Sequence, residues 1–182
     1  MAKYPKVNYI GNKEKLVNWI IEEMPVKKGT VLDIFAGGCS VSYALKANGY
    51  SVISNDILYA DYVIAKAMIE NEDKILGLSV FDKKADEARV RELTDKFSFL
   101  SERLYYREEV QELGKLAAVS EQLKDNEKYL FLALMRRAMI RKLPYSRMNV
   151  PWNQIQKLRD EDYSYEKYKR KRAYHNQSFE SH

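Results

Sequence analysis

The chain has 182 residues, of which 46% are hydrophobic and 31% are charged, and its formal net charge is +5. This length suits one compact domain or a core with an insert, and the composition excludes a disordered chain. No apolar run approaches the roughly 20 residues of a membrane span, and the first residues lack the apolar core of a signal peptide. Because the chain has one cysteine and no cluster of metal ligands, we expect a protein of the reducing cytoplasm that has no metal and no membrane contact.

The first 71 residues predict alternating helices and strands. The predicted elements are a helix at 11–24, a strand at 30–35, a helix from about 40 to 47, a strand at 51–54 and a helix at 59–71. Thr30–Phe35 is a short run of apolar and β-branched residues, which is typical of a buried parallel strand. The order β-α-β-α indicates the opening of a doubly wound α/β sheet.

From about residue 79 the pattern becomes helical. The segment 83–142 predicts three helices, broken near Tyr106 and Asp125, and 142–152 is a loop with two prolines. The tail at 163–182 has only weak periodicity. We therefore predict an α/β core at residues 1–78 and a mostly α-helical insert at residues 79–182.

Positive charge is concentrated in the last third of the chain. Residues 129–182 hold twelve Lys and Arg against five Asp and Glu, so the rest of the chain has a slight negative excess. A basic segment of this kind favours a polyanionic partner such as nucleic acid. Charge alone fits a solvated basic face equally well.

The segment V-L-D-I-F-A-G-G-C-S predicts a strand, a loop of small residues and a helix. Such a loop lets the backbone approach a ligand, and the helix start presents unpaired N–H groups. Gly37 and Gly38 do not make the G-x-G-x-x-G pattern of nicotinamide-binding proteins, and an ordinary tight turn is the alternative. Asp56 follows the second strand, where a carboxylate can accept ribose hydroxyls or cap the next helix.

Together with N-Y-I-G-N-K-E-K-L at residues 8–16, these motifs resemble the alpha-group N6-adenine DNA methyltransferases, which include Dam-type enzymes and type IIS-like restriction-modification enzymes. The resemblance implies a Rossmann-like sheet and S-adenosyl-L-methionine as cofactor. It implies that the cofactor-binding residues are Tyr9, Lys13, Asp33, Phe35, Gly37 and Asp56. The chain has Gly-Gly-Cys where the family usually has Gly-x-Gly, so the N–H group that faces the cofactor's carboxylate is left open.

The same family reads double-stranded DNA with a helical insert, which residues 135–152 and 159–179 resemble. Basic side chains in the first stretch can neutralise phosphates, and its aromatic rings can stack on bases or pack in the protein. The predicted DNA-binding residues are Arg136, Arg137, Arg141, Lys142, Tyr145, Arg147 and Trp152. A second basic and aromatic cluster lies at 165–172.

Adenine methylation in this family uses a D/N-P-P-Y/W loop, and no two of the four prolines are adjacent. Asn149-Val150-Pro151-Trp152 is a degenerate match, but it does not follow a buried strand, so we predict no catalytic residue. The sheet is then incomplete, and we expect the chain to be inactive alone. Either a complementing polypeptide carries the catalytic motif or the chain is a truncated product. The alternatives are an inactive nucleic-acid-binding remnant and a methyltransferase acting on RNA or a small molecule.

Overall fold

The computed structural model describes residues 4–5, 7, 9–144, 150–169 and 173–182. The chain divides into two compact units. The first comprises residues 1–76 with 125–133, and the second comprises residues 77–124 with 134–182.

The first unit contains the α/β part of the chain. Its elements are α1 (Val17–Glu22), β1 (Thr30–Asp33), α2 (Ser40–Ala47), β2 (Ser51–Ser54), α3 (Tyr59–Ala65) and a π-helical segment (Lys66–Glu70). The ammonium group of Lys46, in the last turn of α2, donates to the carbonyls of Ile69 and Asn71 at 2.6 and 2.9 Å. This lysine satisfies carbonyl groups at the end of the π-helical segment, which have no partner within the helix.

β1 and β2 form a two-stranded parallel sheet, with α2 as the crossover between them. Val52 packs against the buried cluster of Cys39, Ile64 and Ile69, so this face of the sheet belongs to the core. On the other face Leu32 and Ile53 lie opposite each other and are 55% and 56% exposed. Parallel strands are normally covered on both faces, and this pair is covered on one.

The second unit is helical. Its elements are α4 (Glu87–Lys96), α5 (Arg107–Glu121), the second half of α6 (Asp125–Lys142), α7 (Trp152–Arg159) and α8 (Glu161–Tyr168), with short 3₁₀ segments at Leu78–Asp82, Ser98–Leu100 and Ala173–Asn176. The Asp86 carboxylate caps α4 by accepting from the N–H of Arg89. α4 and α5 pack closely because Gly114 faces Thr94, where a Cβ on the glycine would lie 2.0 Å from Oγ1.

A buried ionic cluster joins four segments of the second unit. Both carboxylate oxygens of Glu109, on α5, accept from the guanidinium of Arg159 on α7, at 2.8 and 2.6 Å. The ammonium group of Lys142, at the end of α6, lies 2.8 Å from the same carboxylate and also donates to the carbonyl of Gln177. Arg159 in turn donates to the carbonyl of His175 at 2.9 Å, which ties down the carboxyl-terminal tail.

The structure confirms the predicted breaks near Tyr106 and Asp125, since α5 begins at Arg107 and α6 at Asp125. The first helix is shorter than predicted, because residues 9–16 form turns in which the Asn12 side chain accepts from the N–H of Glu14. β1 ends at Asp33 rather than Phe35. The tail, in which the sequence shows only weak periodicity, contains most of α8, which is capped by Asp160.

The described residues therefore form a helix-rich structure with a small two-stranded parallel sheet. None of the helices in these ranges is long and apolar enough to cross a bilayer.

Candidate functional site

A cavity of about 620 Å³ lies in the first unit, at the carboxyl ends of β1 and β2. Three segments build it: the turns before α1, the loop between β1 and α2, and the residues after β2. All six residues predicted to bind the cofactor line it. The lining residues are Tyr9, Ile10, Gly11, Asn12, Lys13, Asp33, Phe35, Ala36, Gly37, Gly38, Ser40, Val41, Asp56, Ile57 and Leu58.

The glycine loop, residues 36–39, forms one wall of the cavity. Gly37 has φ +49°, in the left-handed region, and a Cβ at this position would lie 2.7 Å from Cε1 of Tyr9. A Cβ on Gly38 would lie 2.9 Å from Cβ of Tyr9. The two glycines are therefore required by the close approach of the Tyr9 side chain, and at Gly37 by the backbone dihedral as well.

Asp56 connects the end of β2 to the glycine loop. One carboxylate oxygen accepts from the N–H of Gly37 at 2.8 Å, and the other accepts from the N–H of Leu58 at 3.1 Å. These hydrogen bonds hold the pKa of Asp56 below its usual value, and the bond from Leu58 has the larger effect. Asp56 thus remains a charged acceptor at neutral pH, and a carboxylate has lone pairs for further donors.

Asp33, at the end of β1, is oriented by two serine hydroxyls. The buried hydroxyl of Ser42 on α2 donates to the Asp33 carboxylate at 2.6 Å, and the hydroxyl of Ser54 on β2 donates to Ser42 at 2.8 Å. This relay joins the three elements that support the cavity. A sequence does not reveal it, because the serines belong to different elements.

A cation and the Ser40 hydroxyl also line the cavity. The exposed ammonium group of Lys13 donates to the carbonyl of Gly11 at 2.8 Å, and the backbone N–H of Lys13 donates to the Ser40 hydroxyl at 3.3 Å. Tyr9 lies against the glycine loop, as described above. Both residues predicted from the first motif are therefore at the cavity.

Exposed apolar side chains line the cavity, and only Phe35 among them was predicted from the sequence. Phe35 is 88% exposed, Ile57 is 95% exposed and Ile10 is 90% exposed, although all three are large and hydrophobic. Exposure of this kind indicates a surface for an apolar or aromatic ligand. The positions of Ile57 and Ile10 in the sequence could have indicated them, because Ile57 directly follows Asp56 and Ile10 directly follows Tyr9.

The residues predicted to bind DNA have different surroundings from one another. Arg136, Arg137 and Arg141 are half-buried on the second half of α6. The ring of Trp152, the first residue of α7, packs edge-on against Tyr106 with centroids 5.0 Å apart. Tyr145 and Arg147 lie outside the described residues, as does Asn149 of the degenerate motif and the basic run at 170–172.

Lys142 is the exception among the predicted DNA contacts. Its side chain is 2% exposed, it is ion-paired with Glu109, and its ammonium group lies 4.7 Å from the centre of the Phe179 ring. In this arrangement the charge holds the tail to α5 and is not presented to a phosphate. Charge density along the sequence does not distinguish Lys142 from its neighbour Arg141.

No group of three or more potential metal ligands occurs in the part of the chain that the structure describes. Comparison with known proteins gives a clear result. A family model described as D12 class N6 adenine-specific DNA methyltransferase matches residues 9–182. The chain belongs to this family. The match covers both the cavity and the helical unit.

Several known methyltransferases are similar to the chain over different lengths. The type II methyltransferase M2.HphI of Haemophilus parahaemolyticus is 48% identical over 182 residues, which cover 99% of this chain and 53% of that protein. The type II methyltransferase M.NlaIII of Neisseria lactamica is 35% identical over 92 residues, covering 47% of this chain and 28% of that protein. The modification methylase LlaI of Lactococcus lactis subsp. lactis is 34% identical over 102 residues, 54% of this chain and 15% of that protein.

The chain therefore spans about half the length of M2.HphI and a smaller share of the other two. No solved structure matches the chain.

Proposed function

We propose that this chain is the S-adenosylmethionine-binding and DNA-contacting portion of a methyltransferase that modifies adenine N6 in DNA. The observation that carries the proposal is the convergence of Tyr9, Lys13, Phe35, Gly37 and Asp56 on one cavity. Its volume of about 620 Å³ suits a nucleoside-sized ligand. We propose further that residues 1–78 are part of a Rossmann-like cofactor domain and residues 79–182 a DNA-recognition insert.

The cavity fits S-adenosylmethionine by its chemistry. The Asp56 carboxylate can accept from ribose hydroxyls, and the exposed Phe35 and Ile57 side chains supply an apolar surface for the adenine ring. Lys13 offers positive charge, and the glycine loop offers a backbone N–H donor, for a carboxylate. When bound, the cofactor supplies a methyl group on a positively charged sulfur.

DNA contact is assigned to the last two turns of α6 and the start of α7. Arg136, Arg137 and Arg141 supply charge for phosphates, and Trp152 supplies an aromatic edge. Lys142 enters this assignment only as an internal anchor that fixes the end of α6. Tyr145 and Arg147 remain sequence predictions.

Transfer to adenine also requires a group that orients the amino nitrogen. The 182 residues contain no two adjacent prolines, and we propose that a D-P-P-Y-bearing segment beyond them, on the same or another polypeptide, supplies it. Positioning the cofactor without positioning the base forfeits most of the proximity effect on the rate. The competing candidate is a DNA-binding protein without catalysis.

A methyl-transfer assay separates these candidates. The chain is incubated with tritiated S-adenosylmethionine and plasmid DNA, with and without a polypeptide that carries the corresponding D-P-P-Y segment. We expect N6-methyladenine only with the complement. Asp56→Ala should weaken cofactor binding by about 1–3 kcal/mol because it removes a charged acceptor, whereas Asp73→Ala, at an exposed carboxylate of the same unit, should not. Cofactor binding without methylation in any combination would favour the non-catalytic candidate.

A further inference from the structure

The peptide between Gly37 and Gly38 is flanked by groups that are already hydrogen-bonded. The N–H of Ala36 donates to the carbonyl of Asn55 at 3.0 Å, and the N–H of Gly37 donates to Asp56 at 2.8 Å. The N–H of Cys39 donates back to the carbonyl of Ala36 at 2.7 Å. Of the four N–H groups in this loop, only that of Gly38 has no hydrogen-bond partner among the described residues.

The carbonyl of Gly37 indicates the direction in which the Gly38 N–H points. That carbonyl lies 3.7 Å from the thiol sulfur of Cys39, which is fully buried. In a planar trans peptide the N–H points opposite to the C=O. The N–H of Gly38 therefore points away from the buried thiol, and Gly38 itself lines the cavity.

Tyr4 holds the next peptide of the loop. Its hydroxyl donates to the carbonyl of Gly38, and its side chain is buried. The ring packs edge-on against Tyr43 of α2, with centroids 5.7 Å apart. Val7 also packs against the buried cluster around Cys39, so both Tyr4 and Val7 contact the core of the first unit.

This contact matters because glycine has more backbone freedom than other residues, so the loop depends on its hydrogen bonds for a defined conformation. Asp56 fixes the peptide before Gly37, and Tyr4 fixes the peptide after Gly38. The orientation of the peptide between them, and hence of the Gly38 N–H, follows from these two constraints together with the hydrogen bond from the Cys39 N–H to the Ala36 carbonyl, which closes the turn across both glycines. If the Tyr4 hydroxyl is removed, one constraint is lost while the ring contact with Tyr43 remains.

We propose that Tyr4 is a positioning residue of the cofactor site: by holding the Gly38 carbonyl it presents the Gly38 N–H to the carboxylate of the bound cofactor. The inference rests on the proposed binding of S-adenosylmethionine. It goes further by assigning one backbone donor of the loop and the side chain that orients it. Tyr4 itself touches no ligand in this scheme.

The test compares two ligands that differ in the amino-acid portion. S-adenosylhomocysteine has the carboxylate, and methylthioadenosine has the same nucleoside without it. By calorimetry, Tyr4→Phe should weaken S-adenosylhomocysteine binding about fivefold, the scale of one hydrogen bond, and leave methylthioadenosine binding within twofold. Tyr43→Phe, which removes a hydroxyl from the partner ring and keeps the ring contact, is the matched control and should change neither affinity.

Glycine-selective nitrogen-15 labelling provides a readout that a merely structural role would not move. The chain has seven glycines, and the amide proton of Gly38 should shift downfield with S-adenosylhomocysteine but not with methylthioadenosine. The shift should shrink in Tyr4→Phe. Should that variant fail to fold, the wild-type spectra with the two ligands decide the assignment.

The outcomes separate this inference from the proposed function. If the wild-type chain binds neither ligand, the proposed function fails and the inference with it. If the wild-type chain binds both and Tyr4→Phe weakens both equally or neither, or if the Gly38 amide is insensitive to the carboxylate, the inference alone is overturned.

Discussion

Two residues of the glycine loop adopt left-handed backbone dihedrals for different reasons. Gly37 has φ +49° and lies against Tyr9, so neither its backbone conformation nor the space around it suits a side chain. Cys39 has φ +61° but is fully buried in the cluster with Ile64 and Ile69. The left-handed backbone conformation of a non-glycine residue costs about 1–2 kcal/mol, and the burial of the Cys39 side chain offsets this cost. This explains how Gly-Gly-Cys can stand where the family usually has Gly-x-Gly.

Gly37→Ala should therefore damage the site. The new Cβ would lie 2.7 Å from the Tyr9 ring in an unfavourable dihedral, and we expect a stability loss of about 1–3 kcal/mol together with weaker cofactor binding. Gly77→Ala is the control, because its Cβ would meet nothing closer than the Ser79 hydroxyl at 3.4 Å. Thermal unfolding and calorimetry measure both effects. Equal behaviour of the two variants would contradict the role assigned to the loop.

At the scale of elements, the helical unit is organised around Glu109. Its carboxylate makes one local hydrogen bond, accepting from the N–H of Tyr106 at the start of α5. The same carboxylate then gathers Arg159 from α7 and Lys142 from α6. A buried charge that loses its partner costs free energy, so removing any one of the three residues should destabilise the unit.

Glu109→Gln should destabilise the helical unit by about 3 kcal/mol, because two buried cations lose their anion. Burial raises the pKa of the Glu109 carboxyl, but hydrogen bonds from Arg159 and Lys142 outweigh it, and the net pKa is lowered. Because the pKa of Glu109 is lower in the folded chain, the ionised carboxylate stabilises the fold above a pH of about 4.3, the pKa of glutamate in an unfolded chain. This contribution is lost as the pH falls through the pKa of the folded state.

Chemical denaturation between pH 3 and pH 7 measures this effect. The wild type should lose stability at the acid end, and Glu109→Gln should lose less because it has no carboxylate to titrate there. Glu108→Gln, at the exposed neighbouring position, should keep the wild-type pH dependence. A Glu109→Gln variant as stable as the wild type at pH 7 would show that the cluster is not the organiser of the unit.

At the scale of the whole molecule, the two groups of predicted site residues fall in different units. The residues predicted to bind the cofactor all lie in the first unit, and Arg136, Arg137, Arg141 and Trp152, which are predicted to contact DNA, all lie in the second. Charge follows the same division, because the basic excess is in residues 129–182. DNA affinity should therefore depend on salt through the second unit.

Replacing Arg137 and Arg141 together by Ala should lower the slope of log K against log salt by up to about two, since each phosphate contact releases counterions. Arg91 and Arg103 are exposed arginines elsewhere in the second unit, and their joint replacement removes the same charge. We expect that control to change the slope less. Fluorescence anisotropy with a labelled duplex over a salt series makes the measurement. Equal slopes for both double variants would assign Arg137 and Arg141 to packing.

The sequence by itself predicted the α/β opening and the helical segment that follows, and its resemblance to a family predicted six of the residues that line the cavity. These features are encoded in contiguous stretches, where strand and helix periods and the spacing of Gly37 and Asp56 can be read directly. Only the tertiary structure decided which charges are internal. Glu109 and Arg159 meet across 50 residues, and Lys142 is buried while Arg141 beside it is half-exposed. The physical reason is that burial and pairing depend on which distant segments pack together, and adjacent residues on a helix face different directions.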